Sequence, residues 1–153
     1  MKRRPIPSLV GILVGIVLFF SLGEARGANH QAIQTPPISL GTSGGNIHDQ
    51  TRKYCCSGTL GALARRDSTY YILSNNHILA RTNRGKPGEA VSQPGLIECN
   101  CGLCYQIVAN LSEFVRIAFG WRKTNVVDAA IAQIIPGQVR TDGYILDVGQ
   151  ISN

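Results

Sequence analysis

Two residues of this chain are of types that do acid–base chemistry and stand where such chemistry is done. His77 closes the run Tyr70-Tyr71-Ile72-Leu73-Ser74-Asn75-Asn76-His77, an apolar strand that ends in a polar step before Ile78-Leu79-Ala80 turn apolar again. A histidine at the end of a buried strand is held rigidly yet faces a cleft. A general base needs that placement, because an ångström of misplacement costs rate. Asp128 sits inside Val126-Val127-Asp128-Ala129-Ala130-Ile131-Ala132. A carboxylate in such a run is partly buried and requires a partner. An imidazole N–H is the obvious one, since a carboxylate accepting from Nδ1–H fixes the tautomer and stabilises the imidazolium. Read singly, each residue has a plainer explanation: His77 as a strand-end histidine capped by its asparagines, Asp128 as a turn cap bonded to its own backbone.

Two further groupings bear on chemistry. Gly41-Thr42-Ser43-Gly44-Gly45 matches the Gly-x-Ser-Gly-Gly pattern around many serine nucleophiles. Five small residues in a polar stretch arise readily by chance, so a flexible turn is the preferred reading. The five cysteines are Cys55, Cys56, Cys99, Cys101 and Cys104. In an exported chain they imply disulfides with one thiol left over. The spacing Cys99-x-Cys101-x-x-Cys104 with Cys55 or Cys56 also offers thiolates for zinc, an alternative that an oxidising compartment disfavours.

The elements that must position these residues begin after a leader. Lys2, Arg3 and Arg4 precede an apolar run of about a dozen residues, short against the ~20 of a spanning helix, and Ala25-Arg26-Gly27 offers small residues for cleavage. Residues 1–27 therefore read as a signal peptide, with an uncleaved membrane anchor as the alternative. Of the net charge of +6, the leader carries four basic residues and one acidic one, leaving +3 for the rest. The remaining basic residues are scattered without interleaved aromatics, which argues against nucleic-acid binding. The only membrane contact expected is through the leader if it is retained. Asn110-Leu111-Ser112 matches a glycosylation acceptor, relevant only in a eukaryotic secretory route.

Residues 28–53, rich in glycine and proline and lacking apolar periodicity, read as an extended arm over the surface. Residues 59–64 and 69–73 are β-prone runs joined by a polar turn, hence a hairpin. Strands are expected at 89–93, 106–110, 113–119, 126–135 and 143–149. Alanine content allows a helix at 129–135, but its length and the Pro136-Gly137 stop favour a strand. Short strands between glycine-rich turns indicate an all-β sandwich or barrel.

Cys56-Ser57-Gly58-Thr59-Leu60, Tyr71-Ile72-Leu73-Ser74-Asn75-Asn76-His77 and Val127-Asp128-Ala129-Ala130-Ile131-Ala132, in that order, resemble the first half of trypsin-like serine proteases of the chymotrypsin fold. The resemblance spans roughly residues 55 to 148. It implies that residues 54–153 are an incomplete protease domain, the first barrel of a double β-barrel, with His77 as general base and acid and Asp128 orienting it. It implies a peptide or protein substrate and no cofactor or metal. The family places its nucleophile after the aspartate, in a Gly-Asp-Ser-Gly-like loop. The only serine after Asp128 is Ser152, with no glycine beside it. Nucleophile, oxyanion hole and specificity pocket are thus missing, and this chain alone is expected to be inactive. Ile78 stands where many members have a cysteine bonded to the one matched by Cys56, so the resemblance assigns Cys56 a partner among Cys99, Cys101 and Cys104. A secreted, non-catalytic β-barrel binding module remains the alternative function, and a small zinc protein a second one.

Overall fold

A computed structural model describes residues 28–151; the leader read over 1–27 lies outside the described residues. The chain is all-β. Among the described residues the strands are β1 (Thr42–Asn46), β2 (Gly58–Leu60), β3 (Ala62–Arg66), β4 (Thr69–Ser74), β5 (Ala90–Gln93), β6 (Gln106–Phe114), β7 (Ala130–Ile134), β8 (Tyr144–Ile145) and β9 (Gly149–Gln150), with one helical turn, α1 (Asn76–Leu79), after β4. The first seven strands form one antiparallel sheet in the order β2-β1-β5-β6-β7-β4-β3. Only Gly61 separates β2 from β3, so the sheet curls until its two end strands are one bent stretch of chain. A side chain at that corner has no room: a Cβ on Gly61 would lie 2.7 Å from the Leu73 carbonyl oxygen. The Ser74 hydroxyl draws β4 toward β2 by donating to the Thr59 carbonyl at 2.6 Å.

The inside of the curl is the core. Leu60, Ile72, Leu79, Val91, Val108, Leu111, Ala130 and Ala132 are buried there. Along β4 and β7 the alternation is that of a half-buried strand: Ile72 is enclosed while Leu73 faces out, and Ala130 and Ala132 point in. Ile72 lies opposite Ala132, so large residues on one strand face small ones on the next. The expected hairpin is β3–β4, closed by Asp67 and Ser68, with Asp67 at φ 55, a conformation aspartate tolerates. Residues 130–134 form a strand, not a helix.

The surface arm expected over 28–53 is overturned in its central part, residues 38–46. Ile38 and Leu40 enter the core and bridge Val139 and Ile145, and β1 is a wholly buried strand between β2 and β5. Its composition misled because no apolar side chain fits: a Cβ on Gly44 would lie 2.5 Å from both the Leu60 side chain and the Ser92 carbonyl. Its polar side chains are satisfied instead. Asn46 donates to the Leu79 carbonyl at 2.9 Å and to Glu89 at 2.8 Å, and Thr42 Oγ1 donates to the His30 carbonyl at 2.8 Å. Residues 106–114 are one strand rather than part of two, with a bulge at 111–113.

The disulfide expected for Cys56 is also corrected. Cys55 bonds Cys101 and Cys99 bonds Cys104, leaving Cys56 free and exposed. Neighbouring residues in extended chain point to opposite sides. With Cys55 aimed at the 99–104 loop, the Cys56 thiol turns toward Asp49; partial burial, then the Asp49 carboxylate, raise it above its ordinary range. The Cys55–Cys101 bridge spans 46 residues and stabilises by about 4 kcal/mol on the chain-entropy account. Two disulfides suit an oxidising, extracytoplasmic compartment. Among the described residues no helix is long and apolar enough to cross a membrane.

The first described residues are fastened by His30. Its Nδ1 faces the Gly41 carbonyl at 2.6 Å and its Nε2 the Asp147 carboxylate at 2.9 Å. Asp147, at the β8–β9 turn, also accepts from the Ala28 backbone N–H at 2.9 Å. Both acceptors on His30 are satisfied only by the imidazolium. The Gly41 carbonyl first, then Asp147, raise the pKa of this histidine.

Candidate active site

The helical turn α1 sets the direction of His77. The Asn75 carbonyl accepts from the Ile78 and Leu79 backbone N–H groups and starts the turn. Leu79 goes into the core, Asn76 is fully enclosed, and Ile78 lies over Gly58, where a Cβ would come within 2.1 Å of it. The direction left for His77 is outward, and its side chain is 51 % exposed. His77 therefore belongs to a helical turn three residues past β4 rather than to the strand end.

Asp128 lies two residues before β7, and the structure brings it to His77. Its Oδ2 accepts from His77 Nδ1–H. Its Oδ1 accepts from the Asn76 backbone N–H at 2.7 Å and from the His77 backbone N–H at 3.3 Å. Asn75 Nδ2 donates to the Asp128 carbonyl at 3.1 Å. Partial burial on its own would raise the Asp128 carboxyl. The hydrogen bonds from the His77 ring and the two backbone N–H groups outweigh it and hold the carboxyl below its ordinary value. An ionised carboxylate only accepts, so Nδ1 carries the ring proton. In the neutral imidazole the lone pair is then on Nε2, which has no hydrogen-bond partner among the described residues. The arrangement is a base whose basic nitrogen is exposed and whose tautomer is fixed.

No serine hydroxyl among the described residues is hydrogen-bonded to that nitrogen. Ser43 Oγ accepts from the Gly95 N–H, Ser57 Oγ accepts from the Ile97 N–H and Ser74 Oγ donates to Thr59. The Gly41–Gly45 pattern is neither a nucleophile loop nor the flexible turn expected of it, but the buried strand β1. The zinc alternative loses its ligands, because four of the five cysteines, Cys99, Cys101 and Cys104 included, are consumed in disulfides.

Sequence reasoning did not single out the network behind the pair. Asn76 Nδ2 donates to the Val115 carbonyl at 2.6 Å and to Asn83 Oδ1 at 2.8 Å, while its Oδ1 accepts from the Asn83 backbone N–H at 2.9 Å. Asn83 in turn bonds the Ile117 backbone in both directions. Asn83 closes a turn in which Arg81, Thr82 and Asn83 all have positive φ, 51, 55 and 70°. At Arg81 and Thr82 this costs about 1–2 kcal/mol each, whereas asparagine tolerates it. The turn is held by the asparagines and by Arg81, whose guanidinium pairs with Glu89 through two bonds of 3.1 and 2.6 Å. Burial opposes ionisation of Glu89, and the bonds from Arg81 and Asn46 outweigh it and lower its pKa. Two asparagines in a row before a histidine were the available signal, but a polar step at a strand end reads equally well as solvated.

Comparison with known proteins gives no match to any family model, curated protein or solved structure.

Proposed function

We propose that this chain is the part of an exported trypsin-like serine endopeptidase that carries the general base and its orienting carboxylate, on the first barrel of a chymotrypsin-like double barrel. In this reading a serine attacks the peptide carbonyl, His77 Nε2 takes its proton and returns it to the leaving amine. Asp128 keeps Nδ1 protonated and stabilises the imidazolium that forms in between. The observation that carries the reading is the double grip on Asp128, one oxygen on the His77 ring and the other on the backbone N–H groups of Asn76 and His77.

Two further features suit it. The segment from β6 to β7, which delivers Asp128, exposes Val115, Phe119, Trp121, Val126 and Val127. Exposed apolar side chains beside a site are what a second packed unit covers. The disulfides suit the export that residues 1–27 imply. Nucleophile and oxyanion hole are assigned outside residues 28–151.

Fluorophosphonate labelling tests this. This chain alone should neither label nor cleave peptides; joined to the part that supplies the serine, it should do both, with both lost in His77→Ala. Labelling of Ser43, or peptide cleavage unaffected by His77→Ala, would overturn it.

A further inference from the structure

We infer that Asn76 and Asn83 are positioning residues for the His77–Asp128 pair, a buried amide lock that fixes the carboxylate from behind. This rests on reading His77 as a base. The bonds form a closed circuit. The Asn76 backbone N–H holds Asp128 Oδ1, and the Asn76 side chain holds the Val115 carbonyl. The Val115 N–H, in turn, donates to the Ala129 carbonyl at 2.9 Å, one residue from Asp128. One asparagine therefore grips both the functional group of Asp128 and the backbone that delivers it. The Asn76 side chain is completely enclosed, with both N–H donors and its oxygen engaged, so it has one orientation.

Asn83 completes the lock. Its Oδ1 receives both Asn76 Nδ2 and the Ile117 N–H, and its Nδ2 returns a bond to the Ile117 carbonyl at 2.7 Å. The α1 turn, residues 81–83 and the 115–117 segment are thereby clamped at one point. Asn83 itself has a left-handed backbone, with φ 70°.

The test is NMR spectroscopy of the oxidised chain, following exchange of the His77 Nδ1 proton with water and titration of the Asp128 carboxyl. Neither readout needs a nucleophile, so its failure is separate from failure of the protease reading. Asn83→Gly removes the amide while accepting the positive φ. It should leave the fold in place, speed Nδ1–H exchange about tenfold and move Asp128 toward its ordinary pKa. Asn83→Asp keeps both acceptor contacts but turns the bond to the Ile117 carbonyl into an oxygen–oxygen repulsion, so Nδ1–H exchange about threefold faster is expected. A folded Asn83→Gly with both signals unchanged overturns the inference. Should Asn83→Gly not fold, Asn83→Asp decides, and an unchanged exchange rate in that variant overturns it equally.

Discussion

The chain holds two histidine–aspartate pairs, and they differ in what the second ring nitrogen does. At His77 the carboxylate takes Nδ1–H and Nε2 is left open at the surface. At His30 both nitrogens face acceptors, the Gly41 carbonyl and Asp147, an arrangement that favours the protonated ring and fastens the first described residues to β8–β9. One pair keeps a lone pair available and the other has none to give. Residue types and a short contact are common to both. Chemistry is separated from anchoring by the count of acceptors around the ring.

The contrast can be broken most forcefully at the level of rate. If the proposed protease reading holds, His77→Ala in the complete enzyme should lower the peptide-cleavage rate by about 10⁶ and Asp128→Asn by about 10⁴. His30→Ala and Asp147→Asn should change it by no more than a few-fold. Comparable losses at both pairs would erase the distinction.

Stability comes next. Glu89→Ala strands Arg81, which is mostly enclosed with its partner. A loss of about 3 kcal/mol is expected, read as a fall in the urea midpoint. Asp147→Ala touches an exposed contact and should shift that midpoint far less.

The two regions should also fail at opposite ends of the pH scale. Asp128 and Glu89 have carboxyls held below their ordinary values of 3.8 and 4.5. Their contribution is present above those values and is lost as pH falls through the lower, folded ones. His30 is raised above its ordinary 6.5, so its contribution is complete below that pH and is lost as pH rises through the folded value. Amide exchange at residues 28–32, corrected for its intrinsic pH dependence, should accelerate on the alkaline side while that around α1 accelerates on the acid side. Acceleration of both on one side would contradict the protonation states assigned here.

The smallest effect concerns the unpaired thiol. Cys56→Ser should leave the melting curve within about 0.5 kcal/mol of the parent, since the side chain is exposed and unbonded to sulfur. A fall of several kcal/mol would mean that Cys56, not Cys55, holds the 99–104 loop.

What was legible in the residues follows from how each element is buried. The β3–β4 hairpin and β7 were legible as β-prone or apolar runs bounded by turn residues, because β4 and β7 place Ile72, Ala130 and Ala132 in the core. His77 and Asp128 stand out as polar groups at the edge of apolar runs. β1 was illegible because it buries backbone and polar side chains: Gly44 lets Leu60 and Ser92 close over it, and a segment without apolar side chains gives no period. The choice between Cys55 and Cys56 turns on which way one extended residue points, which spacing does not encode. Asn76 and Asn83 escaped because their value lies in partners far along the chain, at 115 and 117.

The corner at Gly61 dictates where this chain can change length. Leu60 and Ala62 belong to opposite ends of one sheet, and a single inserted residue would turn either Leu60 out of the core or β3 out of register with β4. Insertions and deletions must instead be absorbed in exposed connections such as 119–126, which leaves the corner with a fixed residue count and that connection as a place where such a scaffold can diversify.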